Sequence, residues 1–169
     1  MAKDTIVIHA PTNEIFTCTQ SQNEKYVKDC LVQAFTESDG RLFLRAYLND
    51  GYKNEDWFGY EQPVLAPCDC IVVDVFINPV ENVPGIITPG IASSITFKKA
   101  DGTLIKLAHV KDVIVNENQF VKAGCQVAKI GNNGFARNPG VSISASRGPE
   151  KLQVRFKQQS LATRKKVYK

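Results

Sequence analysis

An Asp-Gly pair, Asp101-Gly102, stands between two short apolar or alternating runs, Ile95 to Phe97 and Leu104 to His109. The runs are joined by Ala100-Asp101-Gly102, and an Asp-Gly between two such runs is the strongest short-range hairpin signal. His109 is thereby placed near the end of a strand. Downstream, Gly124 within Val121-Lys122-Ala123-Gly124-Cys125-Gln126-Val127 marks another tight turn, and Gly131-Asn132-Asn133-Gly134 forms a loop able to take positive φ. Residues 94–147 therefore read as a β-meander whose polar, Gly-rich loop is aimed at Pro139 to Ser142.

The remaining segments fit around this meander. Thr5 to Ala10 is a β-branched run ending at Pro11, and Glu14 to Thr19 alternates, so two strands are expected around a Pro11-Thr12-Asn13 turn. Ser21-Gln22-Asn23-Glu24 has the form of a capping box. After it Tyr26, Val27, Cys30, Leu31, Ala34 and Phe35 recur at spacings of three and four, which predicts an amphipathic helix over residues 22–35 with Cys30 on its apolar face. Ser38-Asp39-Gly40 ends it, and a strand is expected over 41–48. Residues 63–76 read as strand, turn, long strand. Residues 78–90 are a Pro- and Gly-rich insertion, either a lid over the site side of the fold or an ordered cover. Residues 152–156 make a last alternating strand, and residues 157–169 form a short basic tail.

At 169 residues and 43% hydrophobic, the chain suits one ordinary core. The expectation is a single domain over 1–169, with a β-β-α-β addition at 1–50, a β core at 56–147 and the tail at 157–169. The fold class is mainly β, a β-rich α+β barrel-sandwich with one N-terminal helix. A net charge of +4 does not by itself call for nucleic acid, and none is expected as a partner. No stretch approaches the roughly eighteen apolar residues of a membrane span. The five cysteines, Cys18, Cys30, Cys68, Cys70 and Cys125, are odd in number, which favours reduced thiols. Together with an opening Met1-Ala2-Lys3-Asp4 that has no apolar signal core, this sets the expectation of a cytoplasmic setting. Cys68-x-Cys70 puts two sulfurs on one strand face, but no second pair completes a zinc site. His9, within the first run, is expected as a half-buried strand residue.

Asp101-Gly102, Ala108-His109, Val121-Lys122-x-Gly124-Cys125-Gln126-x-Ala128-x-Ile130-Gly131-Asn132-x-Gly134 and the preceding Pro63-Val64-Leu65-Ala66-Pro67, taken in order, resemble the lysostaphin/LytM-type zinc endopeptidases, which cut peptidoglycan cross-links. The resemblance covers about residues 56–147. It implies a zinc site built from an early His, an Asp, and the second His of a His-x-His following the Gly-rich loop and a Pro. In this chain the Pro is Pro139, and the two His positions fall on Gly140 and Ser142. Glycine offers no ligand and serine a poor one. No His precedes Asp56 at the expected place, since the chain holds only His9 and His109. The expectation is no zinc and no other cofactor.

Asp56, or equally Glu55, falls where the resemblance implies the ligand Asp, and His109 where it implies a His of the second shell or transition state. The 49–61 loop sets Tyr52, Trp57, Phe58 and Tyr60 among carboxylates; the rings can line a pocket or plug the end of a barrel, and both readings stay open. The expected function is a non-peptidase binding module that keeps the old cleft, holding a small-molecule or protein ligand with Trp57, Phe58, Tyr60, Glu55, Ser142 and Asn132. The alternative is a metal-free enzyme on a small molecule, with His109 and Asp56 as the acid-base pair and Ser142 as a hydrogen-bonding group or nucleophile. A third reading is zinc-dependent peptidoglycan hydrolysis with atypical ligands.

Overall fold

The computed structural model describes residues 4–21, 24–162 and 167–168. Its strands in chain order are β1 (Thr5–Ile8), β2 (Phe16–Gln20), β3 (Lys28–Val32), β4 (Ala34–Ser38), β5 (Arg41–Arg45), β6 (Pro63–Leu65), β7 (Cys70–Phe76) and β8 (Ser94–Lys98). They continue with β9 (Leu104–Ala108), β10 (Val110–Lys111), β11 (Phe120–Val121), β12 (Gln126–Ile130), β13 (Val141–Arg147), β14 (Glu150–Phe156) and β15 (Val167–Tyr168). A single turn of 3-10 helix at Asn54–Asp56 lies between β5 and β6, and another at Gln158–Ser160 follows β14.

The main sheet runs β1-β14-β13-β9-β8-β7-β11, with β3 joined to the side of β13 and β2 to β3. Its centre is the β8–β9 hairpin that the sequence predicts; Lys98 pairs with Leu104, and the turn is the three residues Ala100-Asp101-Gly102, with positive φ at Gly102 alone. Alternation does the rest: Ile95 and Phe97, Ile105 and Leu107, and Ile143 all point inward and are fully buried. Against this face sits a small sheet β10-β12-β6, which contributes Val64, Val110, Val127 and Ile130 to the same core. The mainly-β, curled half-barrel class is what the structure has.

Several expectations are corrected. The described residues of 22–35 hold no helix: Lys28–Val32 and Ala34–Ser38 are strands, and residues 22–23 of the capping box lie outside the described residues. Two periodicities overlap in this stretch. Besides the three-and-four spacing, Cys30, Val32, Ala34 and Thr36 recur every second residue, and these four are the buried ones. Pairing of β3 with β2 on one side and β13 on the other satisfies the backbone, and tertiary context overrides a weak helical preference. Among its described residues the addition thus has strands and no α element. The first two strands exist but do not pair with each other, since β1 runs parallel to β14 and β2 pairs with β3. The strand expected over 41–48 stops at Arg45, and its alternation does not bury a face: all five residues of β5 are exposed.

The thiols are also not all reduced. Cys18 and Cys30, directly opposite each other on β2 and β3, form a disulfide, as do Cys68 and Cys70, leaving Cys125 free and exposed. The cysteine argument for a cytoplasmic setting therefore falls. Within the basic tail, residues 163–166 and 169 lie outside the described residues, while β15 adds to the edge of β4.

Candidate functional site

His109 follows β9 directly and sits at φ +65°, a left-handed conformation that a non-glycine residue holds only when its surroundings fix it. Two contacts do so: its N–H donates to the Ser93 carbonyl at 2.8 Å, and its Nδ1 stands 2.8 Å from the Asn133 carbonyl. A carbonyl only accepts, so Nδ1 carries the proton and Nε2 is left as the acceptor. Asn133 is itself anchored, its Oδ1 accepting from the Ser93 N–H and its Nδ2 donating to the Val110 carbonyl. Burial pushes the His109 pKa below the ordinary 6.5, against the opposing pull of the Asn133 carbonyl and the Asp29 carboxylate. The ring is thereby held neutral at neutral pH.

The Gly-rich loop that positions Asn133 is fixed by close approach. Gly134 has φ +63°, and a Cβ there would lie 2.5 Å from the Ala92 backbone nitrogen. The 78–90 insertion is an ordered cover bound to this loop: Asn82 Nδ2 donates to the carbonyls of Gly134 and Ala136, and the Gly85 N–H donates to that of Arg137 at 2.7 Å.

His109 opens on a cavity of about 730 Å3. Its floor is β9 and β13, with Lys106, Ser142 and Ser144; one wall is β2 and β3, with Thr17, Thr19 and Asp29; the facing wall is Ile87 of the insertion with Phe135 and Arg137. Asp29 stands opposite Ser142 in the β3–β13 register, and the Ser142 hydroxyl donates to its Oδ1 at 2.6 Å. Gly140 is backed by the same strand, since a Cβ on it would meet the Cys30 carbonyl at 3.0 Å. Among the described residues, neither Lys106 nor Arg137 forms an ion pair.

Of the sequence-derived candidates, His109 and Ser142 meet at this cavity and the others lie elsewhere. Asp56 is used within its own loop, Oδ1 accepting from Asn49 Nδ2 at 2.9 Å and Oδ2 from the Lys53 N–H at 3.3 Å. Glu55 is exposed beside it. Trp57 donates its indole N–H to the Gly51 carbonyl and packs on Tyr47, and Phe58 packs on Tyr168 of β15. These rings fasten the β4–β5–β15 sheet to the barrel. Tyr60 accepts from Lys111, which also pairs with Glu61 and Glu81. Asn132 is fully buried and donates to Asn54 Oδ1. Asp29, Lys106 and Arg137 escaped sequence reading: Asp29 lay inside the supposed helix, and the two cations carry no motif.

The geometry has counterparts. Residues 56–154, more than half of the chain, match the model of peptidase family M23. This chain belongs to peptidase family M23. Among solved structures, the M23 domain resembles a putative peptidase M23 from Pseudomonas aeruginosa with a TM-score of 0.55 at 13% identity, over 89% of this chain and 49% of that one. It also resembles pseudoalterin, an M23 metalloprotease from the deep sea, with a TM-score of 0.51 at 12% identity, over 90% and 76% of the two chains. At these identities the likeness is one of fold. The chain spans about half the length of the Pseudomonas protein. No curated protein sequence matches it.

Family membership implies zinc, and the residues of this M23 domain do not fit it. Gly140 offers no donor atom, the Ser142 hydroxyl is committed to Asp29, and His109 spends Nδ1 on a backbone carbonyl. Among the described residues, no three His, Cys, Asp or Glu side chains converge into a metal-holding group. Four of the five cysteines are tied into disulfides, which removes their sulfurs as thiolate ligands.

Proposed function

We propose that this M23 domain is a non-peptidase binding module whose ligand occupies the cavity beside His109. The observation that carries the reading is the Ser142–Asp29 hydrogen bond, at a serine that the sequence resemblance aligns with the second histidine of a His-x-His. A hydroxyl held by a carboxylate replaces a metal ligand there, while the cavity around it stays open. The remaining groups suit recognition. Lys106 and Arg137, free of ion pairs among the described residues, favour a carboxylate on the ligand, and Ile87 with Phe135 supplies apolar contact. A neutral His109 adds one acceptor at Nε2.

A peptide with a free carboxylate fits that set, and cross-linked peptidoglycan stem peptides are the natural probe given the family. Calorimetric titration with such a peptide is expected to give a saturable isotherm that Arg137→Ala weakens about tenfold, in line with loss of one charge-assisted hydrogen bond. Product analysis of the same mixture is expected to return the peptide intact. Cleavage without added metal would instead establish the enzyme reading, with His109 Nε2 as the base. Absence of binding would remove the cavity as the ligand site.

A further inference from the structure

The β4–β5–β15 sheet lies outside the matched M23 segment except where Trp57 and Phe58 touch it. One of its edges is closed by β15, laid parallel on β4, and the other edge is β5. The β4–β5 hairpin turns at Asp39-Gly40, with φ of +52° and +70°, and closes on the pair Ser38↔Arg41. In a two-residue hairpin the closing pair exchanges both backbone hydrogen bonds and alternate pairs repeat the pattern. Arg41, Phe43 and Arg45 thus bond to β4, while Leu42 and Leu44 turn their N–H and C=O groups outward.

The same edge continues into Ala46 and Leu48, where it is already used. The Phe58 N–H donates to the Ala46 carbonyl at 3.0 Å and the Leu48 N–H to the Asp56 carbonyl at 2.9 Å, around an antiparallel bridge between Tyr47 and Trp57. Beside Leu42 and Leu44 no described strand takes these bonds. Their side chains are equally uncovered, at 59% and 44% exposure, with Phe43 at 41%. Native sheets seldom leave an apolar edge of this kind bare. Arg41 and Arg45 flank it, neither in an ion pair among the described residues, with the Arg45 guanidinium over the Phe43 ring.

We propose that β5 is a docking edge for an extended segment of a protein partner, apolar at its centre and acidic at both ends, added antiparallel to the backbone of Leu42 and Leu44. Charge selects this occupant over a second copy paired about Phe43. Arg41-Leu42-Phe43-Leu44-Arg45 reads the same in both directions, so antiparallel pairing of two copies about Phe43 sets Arg41 opposite Arg45. Like charges directly opposite destabilise, whereas carboxylates there bind both guanidinium groups.

The test uses the full chain and two labelled short peptides sharing a Val-Leu-Val centre, one ended by glutamates and one by lysines, read by fluorescence anisotropy at low salt. The glutamate peptide is expected to bind about tenfold tighter, and R41E/R45E to reverse the order. Leu44→Pro removes an outward donor without touching the β4 ladder, and is expected to weaken the glutamate peptide about tenfold with circular dichroism unchanged. Equal affinity for the two peptides, no binding of either, or no reversal in R41E/R45E overturns the proposal. So does a concentration-dependent dimer in sedimentation that the glutamate peptide fails to dissociate, which would make the occupant a second copy.

Discussion

The barrel strands β8, β9 and β13 and the N-terminal strand β5 handle the same residue types in opposite ways. In β8, β9 and β13 the alternating apolar residues are fully buried, Phe97, Ile105, Leu107 and Ile143 among them. In β5 an alternation of similar quality buries nothing. Alternation therefore declares a strand without saying whether a second layer exists to cover it. The N-terminal strands join the barrel through β1 on β14 and through β3 on β13, and the second of these pairings brings Asp29 to Ser142. There the addition supplies the polar wall of a cleft whose floor is the M23 barrel.

The sharpest way to break the contrast is to truncate one apolar residue in each region. Phe97→Ala is expected to destabilise by about 3–5 kcal/mol, as for a fully buried aromatic, while Leu42→Ala changes stability by about 0.5 kcal/mol at most. Denaturant midpoints of the two variants decide the matter, and equal losses would mean β5 is buried in solution. Next in size, Cys18→Ser with Cys30→Ser removes a cross-link closing a short loop, with an expected loss of about 3 kcal/mol. Hydrogen exchange should localise the opening to β2 and β3 while β8 and β9 stay protected. Smaller again, Gly140→Ala presses a methyl toward the Cys30 carbonyl and is expected to cost about 1–2 kcal/mol, a strain that a β3 free to move away would not show.

The smallest effect concerns protons. His109 has a folded pKa below its ordinary value, so the unfolded chain binds the proton first and stability falls as pH drops below about 6.5 toward the folded pKa. Asp29 opposes that shift; Asp29→Asn is expected to lower the His109 pKa further and to extend the pH-dependent loss to lower pH. An NMR titration of the imidazole in both proteins reads the sign directly. A rise in pKa in Asp29→Asn would separate Asp29 from His109.

Much of the barrel was legible because its signals are local. Asp101-Gly102 marks its own hairpin, and Gly131 to Gly134 mark a loop that must approach Ala92 closely. The His109 end of the site followed from that hairpin. The helix expected over 22–35 failed because a period-two pattern, Cys30, Val32, Ala34 and Thr36, lay beneath the three-and-four spacing, and long-range pairing with β13 chose between them. Asp29 was lost with that choice, since its place beside Ser142 is set by a contact spanning more than a hundred residues. Asp56, Trp57 and Phe58 were found as a cluster, but the pocket-or-plug alternative resolves toward packing for both rings, on Tyr47 and Tyr168.

Elemental analysis of the purified protein for zinc, repeated after incubation with excess zinc and desalting, bears most directly on the reading of the cleft. On the proposed reading, with Gly140 and Ser142 where the resemblance places the His-x-His, the expected result is no stoichiometric zinc in either sample. One zinc per chain, lost on substitution of His109, would contradict it and return the cleft to metal-dependent hydrolysis.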